Sequence, residues 1–320
     1  MRDQIYRLIK SFFLIAFSFL LIITACHRQV TPKISILPTS SECRVIQHKF
    51  GEACIPPNPQ RIVVLDPSYT LDPLLSLGFK PVGTTAIDWG GRKYFNGLSA
   101  DEVKGLEIVG TVVQPSLEKI YMLKPDLILF ADWQKYMYKH ISDIAPAIPE
   151  EREKTKFSFK ENLQFIAQLV NRQEKVDELL DQYQRKVRKV RETLGERLNE
   201  LEVSAVVYNG GNFLIPPSYA GFFQALNDLR VSLKPVFLKQ STWLTISTEI
   251  INKYDADILF IINVDNKPPS FYFQNPLIAS LKSVQNKTAY VVDPVIWEAY
   301  GPLGMNKLLD EISKYLLQAG

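Results

Sequence analysis

The chain has 320 residues, with 37 lysines and arginines against 34 acidic residues and a formal net charge of +3. So small a charge gives no reason to expect nucleic acid or a polybasic membrane-binding face. No pair among the three histidines and three cysteines has metal-ligand spacing, and no nucleophile elbow or phosphate-binding glycine loop is present. The sequence therefore predicts no enzyme, no metal site and no cofactor.

The first 25 residues resemble a secretory signal. Basic residues precede an apolar run over 12–23, and Ile23-Thr24-Ala25-Cys26 closes it. This end resembles a bacterial lipobox, in which cleavage leaves Cys26 as a lipid-bearing N-terminus. The alternative is an uncleaved anchor, but the run is shorter than the ~20 residues that span a bilayer. In both cases the remainder lies outside the cytoplasm, and residues 26–42 form a polar tether.

Two cysteines follow the tether. Cys43 and Cys54 are an even pair in an exported chain, which favours a disulfide over two free thiols. The segment between them alternates weakly around Phe50-Gly-Glu52, as expected of a hairpin. A bridge across this hairpin would stabilise the fold by ~2–3 kcal/mol, mostly by restricting the unfolded chain.

Strands and helices alternate through residues 43–157, the first predicted α/β lobe. Strands are expected at 61–65, from 80, at 108–109 and at 127–130. A helix over 71–77 should end at Gly78, because glycine adopts the left-handed conformation with little strain. This alternation indicates a parallel sheet with covering helices.

Residues 158–200 form the predicted connecting helices. Ser158 and Glu161 make a capping box that starts the first helix, and Asn171 interrupts the apolar pattern. The pattern resumes over 173–194, about 22 residues without Pro or Gly, which gives a rod of ~33 Å. One stiff helix between two lobes should permit only small adjustments.

The second α/β lobe is predicted over 201–320. We expect strands at 204–208, 234–238, 258–262 and 289–292, with helices at 222–229 and 305–317. A pattern from the first lobe recurs 131 residues later: Ser116-Leu-Glu118 and Ser247-Thr-Glu249 each open a short helix before an apolar strand. Two copies of one helix–strand unit imply two similar lobes, and clefts between lobes bind ligands.

Aromatic residues concentrate in the loops that follow the predicted strands. In parallel sheets, ligands lie beyond the carboxyl ends of the strands. An aromatic wall with a few cations suits a bulky anionic ligand, with Arg92 as its charged contact. Tryptophan also fills cores, so each single residue has a structural alternative. The predicted ligand-binding residues are Tyr69, Trp89, Arg92, Trp133, Tyr208, Trp243 and Trp297.

Several of these segments together carry a family resemblance over residues 43–318. They are Arg61-Ile-Val-Val-Leu-Asp66, residues 74–83, Pro115-Ser-Leu-Glu-Lys-Ile120, residues 123–129, Ile144-Ala-Pro-Ala147 and residues 246–251. This set resembles the iron–siderophore and vitamin B12 substrate-binding proteins of ABC importers. The resemblance implies an α/β fold of two Rossmann-like lobes with parallel sheets, joined by a single long α-helix. It also implies that one surface glutamate per lobe docks into arginine pockets of the permease dimer.

Glu118 and Glu249 occupy the two docking positions of that resemblance. Their alternative role is to stabilise the start of a helix through its dipole, and both roles are compatible. We expect a monomeric, lipid-anchored, extracytoplasmic solute-binding protein that captures a ferric siderophore and passes it to an ABC permease. The alternatives are a corrinoid or haem carrier and, from another class, an exported two-lobed enzyme.

Overall fold

The computed structural model describes residues 36–37, 43–89 and 92–319. The side chains of Trp89 and Arg92 lie outside this description, as do the predicted signal peptide, most of the tether and Cys26. The described residues belong to one compact unit. None of the described helices is both long enough and apolar enough to span a membrane.

A small antiparallel sheet precedes the first lobe. Its strands are β1 (Ile36–Leu37), β2 (Arg44–His48) and β3 (Gly51–Ile55). A disulfide joins Cys43 to Cys54, whose Cα atoms are 5.5 Å apart. The Arg44 guanidinium donates to the backbone oxygens of Gln168 and Leu169 at 2.9 and 2.5 Å. These bonds attach the hairpin to the connecting region.

The N-terminal sheet has six strands. They are β4 (Ile62–Val64), β5 (Gly83–Trp89), β6 (Arg92–Tyr94), β7 (Glu107–Thr111), β8 (Leu127–Ala131) and β9 (Ala147–Glu150). The order is β6-β5-β4-β8-β9, with β7 also paired to β5. All pairs are parallel except β5–β6. The strand β8 is buried along its whole length, as its continuous apolar sequence predicts.

Short helices cover this sheet. They are a π-helical turn (Pro67–Leu71), α1 (Asp72–Ser76), α2 (Leu117–Met122), a 3-10 helix (Asp132–Met137) and α3 (Tyr138–Ser142). Gly78 follows α1 with φ +83°, in agreement with the predicted helix end. Ser116 caps α2 by accepting from the Lys119 amide at 3.3 Å.

The connecting region contains α4 (Phe159–Val170), a 3-10 turn (Gln173–Lys175) and α5 (Val176–Leu194). Asn171 ends α4 in the left-handed conformation, with φ 55°. The first turn of α5 packs in the N-terminal core through Val176, and its later turns pack in the C-terminal core through Val187 and Val190. This packing confirms the prediction of two lobes joined by one long helix.

The C-terminal sheet also has six strands. They are β10 (Glu202–Asn209), β11 (Asn212–Ile215), β12 (Ser232–Leu233), β13 (Leu244–Ile246), β14 (Ile258–Asn263) and β15 (Ala289–Val292). The order is β13-β11-β10-β14-β15, with β12 paired to β10. The strands β10, β12, β14 and β15 are parallel, whereas β11 and β13 form an antiparallel edge.

The remaining helices follow α5 in the chain. They are α6 (Arg197–Glu200), α7 (Gly221–Leu229), α8 (Pro235–Leu238), a 3-10 helix (Thr248–Tyr254), α9 (Pro269–Phe273), α10 (Pro276–Ala279), α11 (Lys282–Gln285), α12 (Pro294–Trp297) and α13 (Pro302–Gln318). The strand predicted at 234–238 is wrong. Pro235 lacks an amide hydrogen and has a fixed φ, which suits the first position of a helix.

The internal repeat has a common structural role in both lobes. The Asp126 carboxylate accepts from the amides of Gln60 and Arg61, at 2.7 and 2.9 Å, just before β4. The Asp257 carboxylate accepts from the Glu202 amide at 2.8 Å, at the start of β10. Each aspartate thus precedes a central strand and holds the start of the neighbouring parallel strand.

A contact between the lobes, which the sequence did not predict, involves the start of α13. The buried Asp72 carboxylate accepts from the amides of Leu303 and Gly304, at 3.0 and 2.8 Å. A Cβ atom at Gly304 would lie 2.5 Å from the Gly97 Cα, so only glycine permits this approach. The Lys307 ammonium donates to the Gly97 oxygen at 3.0 Å. The lobes are therefore joined at α13 as well as at α5.

Candidate ligand-binding cleft

A cleft of about 420 Å³ lies between the two sheets. Residues that follow β4, β8 and β9 line it from the first lobe, and residues at the end of β10 line it from the second. It therefore lies at the carboxyl ends of the strands, as expected for parallel sheets. The described lining residues are Asp66, Ser68, Tyr69, Ile87, Asn96, Val112, Trp133, Arg152, Val207, Asn209, Leu214, Ala220, Phe222, Trp243, Glu298 and Tyr300.

The structure brings three of the predicted aromatic residues together in this cleft. Trp133 and Trp243 line it from different lobes, with 42% and 47% of their surfaces exposed. Tyr69 is almost buried and stacks on Tyr300, with ring centroids 4.2 Å apart. Exposed indoles facing one cavity provide apolar surface for a ligand with planar or bulky groups.

Two other predicted aromatic contacts need correction. Trp297 has no exposed surface, packs against Phe260 and donates its indole hydrogen to Glu311 at 2.7 Å. A side chain without accessible surface cannot contact a ligand, so the prediction is wrong for Trp297. Tyr208 is also buried and packs on Tyr272, while the residues on either side of it line the cleft. It is on the opposite face of β10, because successive side chains of a strand alternate.

Trp89 and Arg92 face each other in the antiparallel register of β5 and β6. Their side chains lie outside the described part of the chain, so their contact with a ligand stays a prediction. Both residues lie on the hairpin of β5 and β6, and β5 also contributes Ile87 to the cleft.

The central charged group of the cleft is Arg152, which the sequence did not single out. Its Nε donates to Glu150 at 3.0 Å, its Nη2 forms an ion pair with Asp66, and its guanidinium lies 3.9 Å from the Tyr69 ring centroid. Burial alone would lower the pKa of Arg152, but Asp66, Tyr69 and Glu150 raise it above its ordinary value. Burial raises the pKa of Glu150 to about 8, although Arg152 opposes this. Arg152 therefore stays charged and paired.

A second carboxyl group enters the cleft from the opposite lobe. Glu298 follows α12, is half-buried, and accepts no hydrogen bond from the described residues. Burial raises the pKa of Glu298 to about 7. Nearby, Asn96 is 5% exposed and donates to Ser68 at 3.3 Å, while its Oδ1 accepts no hydrogen bond within the described part of the chain.

Sequence reasoning missed these polar residues for a common reason. Arg152 belongs to a charged run, which ordinarily indicates a solvated surface, and only its position directly after β9 could have marked it. The aromatic pattern predicts Trp297 as a ligand contact, whereas the cleft contains its neighbours Glu298 and Tyr300. The cations Lys93 and Lys135 are exposed and do not line the described cleft.

The two repeat glutamates lie away from the cleft. Glu118 is exposed in the first turn of α2, and Glu249 is exposed at the start of the equivalent 3-10 helix. A hydrogen bond from Ser247 lowers the pKa of Glu249. Both carboxylates are accessible to a protein partner. Among the described residues, no cluster of three or more His, Cys, Asp or Glu could hold a metal ion.

Comparisons with known proteins agree with this architecture. The probable siderophore-binding lipoprotein YfiY of Bacillus subtilis (strain 168) is 33% identical over 93% of this chain and 95% of its own length. The Fe(3+)-citrate-binding protein YfmC of the same organism is 29% identical over 88% of each chain. The crystal structure of Staphylococcus aureus SirA complexed with staphyloferrin B has a TM-score of 0.71 at 26% identity, covering 85% of this chain and 98% of SirA.

A family model spans most of the two lobes. It is described as a periplasmic binding protein and matches residues 62–296, from the first strand of the N-terminal sheet to α12. This match covers well over half of the chain and includes every described residue of the cleft except Tyr300 and Glu298. The chain therefore belongs to the periplasmic binding protein family.

Proposed function

We propose that the protein is the solute-binding component of an ABC importer and captures a ferric siderophore in the cleft between its lobes. The observation that carries this proposal is the cleft itself, where Trp133 and Trp243 face one cavity from opposite lobes. The names of two relatives, a probable siderophore-binding lipoprotein and an Fe(3+)-citrate-binding protein, support the same ligand class. The role is transport without covalent chemistry.

A titration with purified protein tests this function. Ferric hydroxamate, ferric citrate, ferric catecholate and cobalamin are added separately, and binding is followed by tryptophan fluorescence and by calorimetry. Among the tryptophans whose side chains the structure describes, quenching should come mainly from Trp133 and Trp243, because these indoles are exposed to the cleft. The iron-free siderophores are the controls for absorption by the ligand. Binding of cobalamin alone would contradict the proposal and favour the corrinoid carrier.

For delivery, we propose that Glu118 and Glu249 dock the protein onto the permease dimer. Both are exposed, and both occupy the start of the helix that precedes an equivalent buried strand. Two carboxylates in related positions of two lobes suit a partner with two related basic pockets. Charge pairs of this kind mainly set association rate and register. One protein monomer would then span the dimer.

We also propose that lipid on Cys26 holds the protein outside the cytoplasm, after removal of residues 1–25. The Ile23-Thr-Ala-Cys26 sequence supports this anchor, and residues 26–42 would form the tether. In the same division, the N-terminal lobe covers 43–157, the connecting helices 158–200 and the C-terminal lobe 201–320. Cys26→Ala should abolish lipid labelling and release the protein from membranes. A processed variant that stays in the membrane fraction would contradict the anchor.

A further inference from the structure

The described lining of the cleft offers little positive charge to a ligand. Arg152 is the one basic residue within that lining, and it is already bonded to Asp66 and Glu150. Such a paired guanidinium contributes much less attraction for an anion than a free one, because its charge is offset by neighbouring carboxylates. Glu298 adds a carboxyl group on the opposite wall.

The same lining also contains side-chain oxygens that can accept hydrogen bonds. Glu298 and Asn96 both line the cleft, and the buried Asn96 Oδ1 atom accepts no hydrogen bond within the described residues. Asn96 is more than nine-tenths buried, so its unsatisfied oxygen is costly unless a ligand or water donates to it. Of these two residues, Glu298 therefore offers its carboxyl group to an N–H or O–H donor on the ligand.

We propose, resting on the function above, that the cleft selects a ferric complex without net negative charge and holds a cationic amine of that ligand at Glu298. A neutral trihydroxamate complex with an ammonium group has this chemistry. A trianionic tris-catecholate complex does not, because it would bring several negative charges next to Asp66 and Glu298, and within the described lining only the paired Arg152 could offset them. This ligand differs from the anionic one expected from the sequence, since Arg152, the basic residue within the described lining, is already paired with carboxylates. The contact predicted for Arg92, whose side chain lies outside the described residues, is compatible with this ligand, because hydroxamate oxygens accept hydrogen bonds.

A matched pair of ligands tests the proposal on the unaltered protein. Ferrioxamine B is a ferric trihydroxamate with one ammonium group, and its N-acetyl derivative has the same iron centre without that charge. We expect the protein to bind the ammonium form about tenfold more tightly, the size of one charge-assisted hydrogen bond. The preference should increase as the pH rises through about 7, because Glu298 ionises in that range.

Two variants test whether Glu298 causes the preference for the ammonium form of the ligand. Glu298→Gln keeps the shape of the side chain and should remove the difference between the two ligands, and it should also weaken the discrimination against ferric catecholate. Glu200→Gln is the control, because Glu200 is exposed on α6 and does not line the cleft. Thermal melting of each variant checks that the fold is retained.

The outcomes separate this inference from the proposed function. Equal affinity of the protein for both forms of ferrioxamine, or tighter binding of a ferric catecholate, would overturn the choice of ligand charge while leaving ferric siderophore binding intact. A preference that persists in Glu298→Gln would overturn the role of Glu298. If no ferric complex binds at all, the proposed function fails and this inference fails with it.

Discussion

Replacement of Asp72 by alanine tests the contact between α1 and α13. The change leaves the buried amides of Leu303 and Gly304 without an acceptor, which costs about 1–3 kcal/mol for each. It also removes a carboxylate whose ionised form is destabilised by burial, which raises the pKa of Asp72 from 3.8 to about 6. That shift corresponds to roughly 3 kcal/mol above pH 6. We therefore expect Asp72→Ala to lower the free energy of unfolding by at most about 3 kcal/mol at neutral pH.

The pH dependence gives the sharper test of Asp72. Its folded pKa is above its unfolded pKa, so the folded state binds more protons between about pH 4 and 6. Wild-type stability should consequently increase as the pH falls through 6, by roughly 1–1.5 kcal/mol from this group at about pH 5. Urea unfolding at about pH 7.5 and pH 5 should show a larger difference between wild type and Asp72→Ala at the lower pH. The other carboxyl groups titrate in both proteins, so their contributions cancel in the difference between wild type and variant.

Asp72→Asn is the matched control, because it keeps the side-chain shape and removes the titration. It should cost less stability than alanine and should lack the same pH-dependent component. A difference between wild type and variant that shrinks at low pH would refute the reasoning. That result would mean that the amides at the start of α13 lower the pKa of Asp72 more than burial raises it.

The remaining predictions concern binding and delivery. Trp133→Ala should weaken ferric siderophore binding in calorimetry with little change in melting temperature, whereas Trp297→Ala should cost about 3–5 kcal/mol of stability in urea unfolding, because its indole is buried. Arg92→Ala should weaken the same ligand by roughly tenfold or more, the worth of a charge-assisted hydrogen bond; unchanged affinity would exclude Arg92 from the site. The double variant Glu118→Ala, Glu249→Ala should bind ligand within about twofold of wild type but import less iron in cells. Normal uptake by that stable variant would contradict docking.

Local patterns predicted the architecture because they depend on neighbouring residues. The apolar runs predicted β8 and β14, and the internal repeat predicted two related lobes. The spaced apolar positions from 173 to 194 predicted the long helix. The strand at 234–238 failed because Pro235 favours a helix start over an apolar strand. Periodicity does not predict the antiparallel strands β6, β11 and β13, because short turns set the direction of a strand.

The polar side of the cleft could not be predicted in the same way. Arg152 meets Asp66 across the sheet, 86 residues apart in sequence, and only the tertiary fold brings them together. Asp72 and Gly304 are still further apart, at 232 residues. A tryptophan in a loop also has two possible directions, which explains why Trp133 and Trp243 face the cavity while Trp297 faces the core.

The disulfide has a mechanical consequence for a tethered protein. If the chain is held at Cys26, any pull from a membrane reaches the fold first at β1, which pairs with β2, and then at Cys43. Without a covalent bond, that force would peel β2 from β3 one hydrogen bond at a time, as a zipper opens. The bond from Cys43 to Cys54 passes the load directly to the far strand, and Arg44 shares it with the end of α4. The disulfide-bonded hairpin thus limits how far a pull at the lipid anchor can disturb the fold around the cleft.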